Sequence, residues 1–190
     1  MKVNLYYFSG TGNTLFITKK IRDRFIMNDE GHQVTIIPIQ NISPSIEVAD
    51  SSDIVGIIYP TYFFDAPDIV KEFAKNLRVR QNTYLFLYAN SGGSLGNALY
   101  NMDQILGTDQ VKARFEVVFP DNSIAFEKKK KKIPTMLTDG EKTVEMHASK
   151  KKKKKVTHKS PKNLMLKTVE KAVIPFSKMF LGFGNMKLNS

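Results

Sequence analysis

Over the first two-thirds of the chain, short runs of apolar, β-favouring residues alternate with longer stretches whose apolar residues recur at helical spacing. The strand-like runs are Val3–Phe8, Gln33–Pro38, Ile54–Tyr59, Thr83–Ala89 and Lys112–Phe119. The first, third and fourth are nearly continuous in apolar residues, as expected of strands covered on both faces of a parallel sheet. Between the runs the pattern predicts helices over Thr14–Met27, Pro67–Leu77 and Ser94–Leu106, with a short further segment over Ile42–Asp50. In the first of these, Phe16, Ile17, Ile21 and Phe25 form the face expected to pack. Pro67 suits the start of a helix, where its missing N–H costs nothing. Strict alternation of strand and helix implies right-handed crossovers and an open, doubly wound α/β sheet. Five strands in the order 2-1-3-4-5 would place a ligand at the carboxyl ends of strands one and three.

Past Phe119 the pattern weakens. Asp139–Lys155 is read as a fifth helix, with Val144 and Ala148 on one face. In Pro161–Leu181 a stripe of Leu166, Val169, Val173, Phe176 and Phe180 steps by 3, 4, 3 and 4, with Pro175 interrupting it. The expected organisation is one domain over residues 1–158 and a C-terminal helical extension over 159–190. The extension is expected to pack within the fold or on a second copy, with contact to a membrane surface as the second reading.

Charge changes the picture only once it is located. The net charge of +11 suggests a nucleic-acid binder. However, residues 1–127 carry 11 Lys and Arg against 14 Asp and Glu, a net of −3, whereas residues 128–190 carry 18 against 4, a net of +14. The runs Lys128–Lys132 and Lys150–Lys155 supply 11 of those lysines, equal to the whole excess. The chain is therefore a mildly acidic domain with basic inserts, and such runs are most often simply solvated. With no cysteine, the 190 residues hold no disulfide, thiol nucleophile or iron–sulfur ligand. His32, His147 and His158 lack metal-site spacing, so no metal is expected. No apolar run reaches membrane-spanning length and no signal-peptide pattern opens the chain, which leads us to expect a cytoplasmic protein.

The most informative chemistry follows the first strand. Ser9-Gly10-Thr11-Gly12-Asn13-Thr14 has two glycines that let backbone N–H groups approach an anion, four side chains able to donate hydrogen bonds, and a helix N-terminus behind it. It lacks the lysine of a Walker A loop, and Leu15 stands where a dinucleotide fingerprint needs its third glycine. A hydroxyl-rich loop without a cation suits a terminal monophosphate. Two further loops follow strands three and four. Tyr59-Pro60-Thr61-Tyr62-Phe63-Phe64-Asp65 supplies four aromatics to cover a flat apolar ring, and Asn90-Ser91-Gly92-Gly93-Ser94 brings backbone amides toward a ring edge. Gly92-Gly93-Ser94-Leu95-Gly96 also matches a hydrolase nucleophile elbow, with Asp109 or Asp121 and then His147 or His158 in order. An elbow, though, seats its serine at the strand's end, and Ser94 lies five residues beyond Ala89.

These loops resemble flavodoxin-type FMN sites. Tyr7–Thr14, Pro60–Phe64, Gly92–Leu99 and Pro120-Asp121-Asn122 are together similar to the flavodoxin half of two-domain flavodoxin–ferredoxin proteins of anaerobes, a likeness that covers about residues 1–125. It implies a flavodoxin-like fold with FMN as cofactor. Ser9, Gly10, Thr11, Gly12, Asn13 and Thr14 would hold the phosphate, Pro60, Thr61, Tyr62 and Phe63 would lie along the ring, and Asn90, Ser91, Gly92 and Gly93 would meet its pyrimidine edge. Ser91 stands where such proteins often carry a tyrosine, which would leave one ring face open. Thr61–Asp65 has no glycine of the kind many flavodoxins place beside the flavin N5. The implied function is electron transfer with a redox partner such as a ferredoxin or a reductase. The alternatives are an FMN-dependent NAD(P)H:quinone or small-molecule oxidoreductase, or a flavin-free scaffold that binds through its lysines.

Overall fold

The computed structural model describes residues 1–28, 30–120 and 133–149. Five parallel strands form the main sheet: β1 (Lys2–Tyr7), β2 (Gln33–Pro38), β4 (Ile54–Pro60), β6 (Tyr84–Ser91) and β7 (Val111–Val118), in the spatial order β2-β1-β4-β6-β7. This is the expected 2-1-3-4-5 arrangement once two short strands, β3 (Val48–Asp50) and β5 (Leu77–Val79), are set aside as a separate parallel pair. Helices α1 (Asn13–Asn28), α2 (Asp68–Asn76), α3 (Ala98–Leu106) and α4 (Ile133–Ser149) flank the main sheet.

Burial explains the sequence pattern. Every residue of β4 and β6 beyond the first is buried, because both faces of these central strands are covered. Of the outer strands, β7 mixes buried with exposed positions and β2 has only half-buried and exposed ones, as sheet edges do. On one face Val55, Ile57, Tyr59, Leu85 and Leu87 pack with Val70 and Phe73 of α2 and Met102 of α3. On the other, Val3, Leu5, Ile58, Phe86 and Tyr88 pack with Ile17 and Ile21 of α1 and Val144 of α4. Phe16 and Phe25, expected on the packing face of α1, are only partly buried against this second cluster, while Thr14 and Thr18 are buried beside it.

Two expectations are corrected. The segment Ile42–Asp50 is not a helix: a single 3-10 turn at Ile39–Asn41 leads through an irregular stretch into β3. Pro44 accounts for this, since it has no N–H to give and keeps Ser43 away from helical backbone. Asn76 at the end of α2 donates its side-chain amide to the Pro44 carbonyl (2.6 Å), fixing the stretch over α2. The last helix begins at Ile133 rather than Asp139. Its expected end at Lys155, both lysine runs and Pro161–Leu181 lie outside the described residues, as does the proposed 159–190 extension. No described helix is long and apolar enough to cross a membrane.

The Ile42–Asp50 stretch ends on a buried carboxylate. Asp50 accepts from Asn4 Nδ2, the Tyr6 hydroxyl and the Ser52 backbone N–H, each at 2.7 Å. Burial alone would raise its pKa, but the donors from Asn4, Tyr6 and Ser52 outweigh it and hold the carboxyl below its ordinary value. Burial, followed by the hydrogen bond to Asp50, pushes the Tyr6 phenol well up. A depressed folded-state pKa gives stability that is present above the unfolded value near 4 and is lost as pH falls through the folded one. Asp50→Asn is therefore expected to lose roughly 1–3 kcal/mol at pH 7, and the gap to the parent should narrow as the pH falls below the ordinary carboxylate value of about 4. Urea unfolding across that pH range checks it, and a gap that does not change with pH would refute the assignment.

Candidate functional site

Strands β1, β4 and β6 are neighbours in parallel register, with Tyr7 beside Ile58 and Pro60 beside Asn90, so the loops that follow them open on one rim of the sheet. The first loop carries Ser9–Thr14. Gly12 takes a φ of +95°, which favours glycine, and its N–H donates to Ser9 Oγ (3.0 Å). Phe16 N–H donates to the Gly12 carbonyl (2.9 Å) and opens the helical ladder of α1, so the N–H groups of Asn13, Thr14 and Leu15 precede any intrahelical acceptor. The first turn of α1 has no acidic residue to compete with an anion for these groups. The Lys20 ammonium lies over the Phe16 ring, 5.4 Å from the centroid. Ser9 is half-buried, and Gly10, Thr11 and Gly12 are exposed.

Not every expected phosphate donor points outward. Thr14 is almost fully buried and its hydroxyl donates to Asn90 Oδ1 (2.8 Å). Asn13 gives one amide hydrogen to the Pro120 carbonyl (2.9 Å). Asn90 and Ser91, expected in the loop, are instead the last residues of β6: the Asn90 carbonyl accepts from Thr61 N–H (2.7 Å), and the Ser91 carbonyl accepts from Phe119 N–H (2.9 Å). Asn90 thus joins three loops at once. Ser91 is buried, and its Oγ accepts from Gly93 N–H (3.3 Å), so it presents no ring to the rim; Gly92 is half-buried and Gly93 exposed. Ser94 sits beyond the end of β6, its Oγ accepting from Gly96 N–H (3.3 Å) four residues before α3 starts at Ala98. That is not the strand-to-helix elbow a serine nucleophile needs.

The aromatic loop is narrower than its sequence suggests. Tyr59 and Pro60 belong to β4 and are buried, and the Tyr59 hydroxyl points to the Ala98 carbonyl (3.4 Å), so only Tyr62, Phe63 and Phe64 remain at the rim. Burial raises the Tyr59 phenol far above its ordinary pKa. Tyr62 and Asp65 exchange backbone hydrogen bonds (2.9 and 3.2 Å) around Phe63 and Phe64, whose φ values are 50° and 66°. Two positive φ angles mark a type I′ turn, which ordinarily takes Asn or Gly, and each bulky residue held there costs on the order of 1–3 kcal/mol. Tyr62 is 40% exposed, its ring stands edge-on to Phe8 (centroids 6.4 Å apart), and its hydroxyl occupies the space a Cβ on Gly10 would take. Burial raises the Tyr62 phenol pKa, and the nearby Gly10 backbone opposes that rise. Thr61 Oγ1 is buried at this rim with no hydrogen-bond partner. Among the described residues no cluster of His, Asp or Glu could hold a metal ion. Sequence reasoning missed Asp65, whose only hint was an acidic side chain six residues before Lys71 at the head of α2.

No protein-family model matches the chain, and no curated protein matches it significantly. Solved structures do. A flavodoxin from Streptococcus pneumonia TIGR4 is 16% identical over 78% of this chain and 95% of its own, with a TM-score of 0.52. An azoreductase from Bacillus anthracis str. Sterne is 10% identical over 78% and 99%, with a TM-score of 0.59. An FMN-dependent NADH-azoreductase from Bacillus anthracis str. Ames Ancestor, solved in complex with FMN, is 10% identical over 78% and 98%, with a TM-score of 0.58. At these identities the likeness establishes the architecture: this chain has a flavodoxin-like fold.

The Thr14–Asn90 bond can be tested directly. Thr14→Val keeps the shape but leaves a buried amide oxygen without its donor, and should cost about 1–3 kcal/mol in urea unfolding with an unchanged m-value. Thr14→Ser should lose less than about half of that. A Thr14→Val variant as stable as the parent would show that this bond does not tie the loops together.

Proposed function

We propose that this protein binds FMN at the shared rim of β1, β4 and β6 and serves as a flavodoxin-like electron-transfer protein. One observation carries the reading: an uncharged loop with open helix N-terminal amides lies on the same rim as an aromatic turn, and Asn90 bonds both. The residues suit the cofactor. The amides of Asn13 and Thr14, the exposed Thr11 and the Ser9 hydroxyl would hold the phosphate, while Tyr62 and Phe63 would cover the ring. Thr61 Oγ1, buried without a partner, gains one if it turns to a polar ring edge. The amides around Ser91, Gly92 and Gly93 would meet the pyrimidine side. FMN, when bound, supplies the redox chemistry; these residues bind it, orient it and limit the water that reaches it.

In this reading a redox protein such as a ferredoxin or a reductase exchanges electrons at the exposed Tyr62 edge, as the resemblance to flavodoxin–ferredoxin proteins suggests. The acidic balance of residues 1–127 suits a basic docking face, and the lysine-rich remainder suits an acidic partner or an anionic membrane surface. Residues 1–158 would form the flavin domain and 159–190 a separate extension.

A second reading, an FMN-dependent NAD(P)H oxidoreductase, is favoured by the buried Ser91, which leaves one side of the ring site without an aromatic cover for a nicotinamide to replace. Two measurements test both. FMN titration should give saturable quenching of flavin fluorescence, with riboflavin at least about tenfold weaker because it lacks the charge-assisted contacts of the phosphate. Equal affinity for the two flavins would remove the phosphate assignment, and no uptake of either would end the proposal. NADH or NADPH should leave the bound flavin oxidised over minutes while dithionite reduces it; steady NAD(P)H oxidation with a quinone would instead establish the enzyme.

A further inference from the structure

The left-handed turn at Phe63-Phe64 needs something to hold it, since neither residue prefers that backbone and the sequence offers no Asn or Gly there. Its last residue, Asp65, carries a carboxylate that accepts three hydrogen bonds. Oδ1 accepts from the Ala66 backbone N–H (2.8 Å) and from Asn101 Nδ2 of α3 (3.0 Å). Oδ2 accepts from Lys71 Nζ of α2 (2.9 Å), which also meets Asp68 (2.9 Å). The Asp65 side chain is 14% exposed and that of Lys71 23%. Burial works to lower the Lys71 pKa, but Asp65 and Asp68 together raise it above its ordinary value, so the lysine stays charged. One carboxylate therefore fastens the turn to two helices.

The far side of the turn is fixed as well. Asn97 N–H donates to the Phe64 carbonyl (3.0 Å), and Gly96, at φ +56°, lies so close to Phe64 that a Cβ there would strike the Phe64 Cβ and backbone. Tyr62, the first residue of the turn, meets Phe8 at its ring edge and the Gly10 backbone at its hydroxyl, while its own backbone belongs to the turn. The handedness of the turn thus sets the direction in which the Tyr62 side chain leaves the backbone, and the Gly10 contact meets its far end.

We propose that Asp65 is a positioning residue: held by Lys71 and Asn101, its carboxylate keeps the Phe63-Phe64 turn left-handed and thereby sets Tyr62 for contact with a flavin ring. The flavin part of this inference rests on the FMN reading above; the anchoring of the turn does not. Phe64 packing on Gly96 is the competing explanation, and under it the carboxylate would be dispensable.

The test uses the full chain with Asp65→Ala, Asp65→Asn and Lys71→Met. In flavin-free protein, amide exchange at Tyr62 and Asp65 should quicken about tenfold or more in Asp65→Ala while the amides of β4 hold their rates. Asp65→Asn keeps an acceptor for Ala66 and Asn101 and should fall between Asp65→Ala and the parent. FMN and riboflavin should both bind about tenfold more weakly to Asp65→Ala, by the same factor, because Ser9–Thr14 is untouched. The visible circular dichroism of bound flavin should shift, which a general loss of stability would not produce. If Asp65→Ala does not fold, the other two variants carry the same comparison. Turn amides that stay protected, or a loss confined to FMN with riboflavin unaffected, would overturn the inference. A parent protein that takes up neither flavin removes the FMN reading and with it the ring contact, and the exchange rates then decide the anchoring alone.

Discussion

In an open parallel sheet, loops at the carboxyl ends of the strands have no neighbour to hold them, and each would drift without cross-links. Here the cross-link is Asn90. Its side chain accepts the Thr14 hydroxyl from the start of α1 and its carbonyl accepts the Thr61 amide at the end of β4. Because β4 lies between β1 and β6, the pair of bonds spans three adjacent strands. Phe119 and Asn13 extend the lacing to the residues beyond β7 through Ser91 and Pro120. Buried polar bonds of this kind are directional, so they specify one arrangement of the loops where apolar packing would tolerate several. The Ser9–Thr14 loop and the aromatic turn share a rim, and these bonds tie them together there.

The same lacing divides the polar residues of the first loop into two sets. Thr14 and one hydrogen of Asn13 are committed to the protein, whereas the backbone N–H groups of Asn13, Thr14 and Leu15 precede the first intrahelical acceptor. If the loop takes the phosphate proposed above, amides and a helix dipole would hold it without a buried cation, and no unpaired charge would be stranded in its absence.

Much of the architecture is legible in the chain because burial on both faces leaves long apolar runs, as in Val3–Phe8 and Ile54–Tyr59, and helical burial leaves a period. The misreadings have physical causes. Three-residue strands such as β3 and β5 are too short to show a period, and Pro44 does its work in a segment whose apolar spacing resembles a helix. Tyr59 reads both as the end of the run Ile54–Tyr59 and as the first aromatic of the following loop, because an aromatic suits either, and the register with Ala89 places it in the strand. The Thr14–Asn90 bond joins residues 76 apart and leaves no periodic trace. Nothing in Tyr62-Phe63-Phe64-Asp65 announces a type I′ turn, because the usual Asn or Gly is absent.

That last failure is instructive about how such a site is made. Local preference and tertiary structure disagree at Phe63 and Phe64, and a conflict of this kind survives only where surrounding contacts over-determine the backbone. Around this turn those contacts are an ion pair to α2, a hydrogen bond from the Asn101 side-chain amide of α3, and the close approach of Gly96. Glycine at positions 63 and 64 would meet the same φ angles at less cost, but it would remove the two rings that flank Tyr62 on the rim. The strain is therefore consistent with a requirement for aromatic surface at a place where the chain has to reverse tightly. It also explains why the anchoring falls to a charged group: two unfavourable residues in succession call for more than one neutral hydrogen bond, and the partly buried Asp65–Lys71 pair supplies a charge-assisted bond on the helix that follows directly.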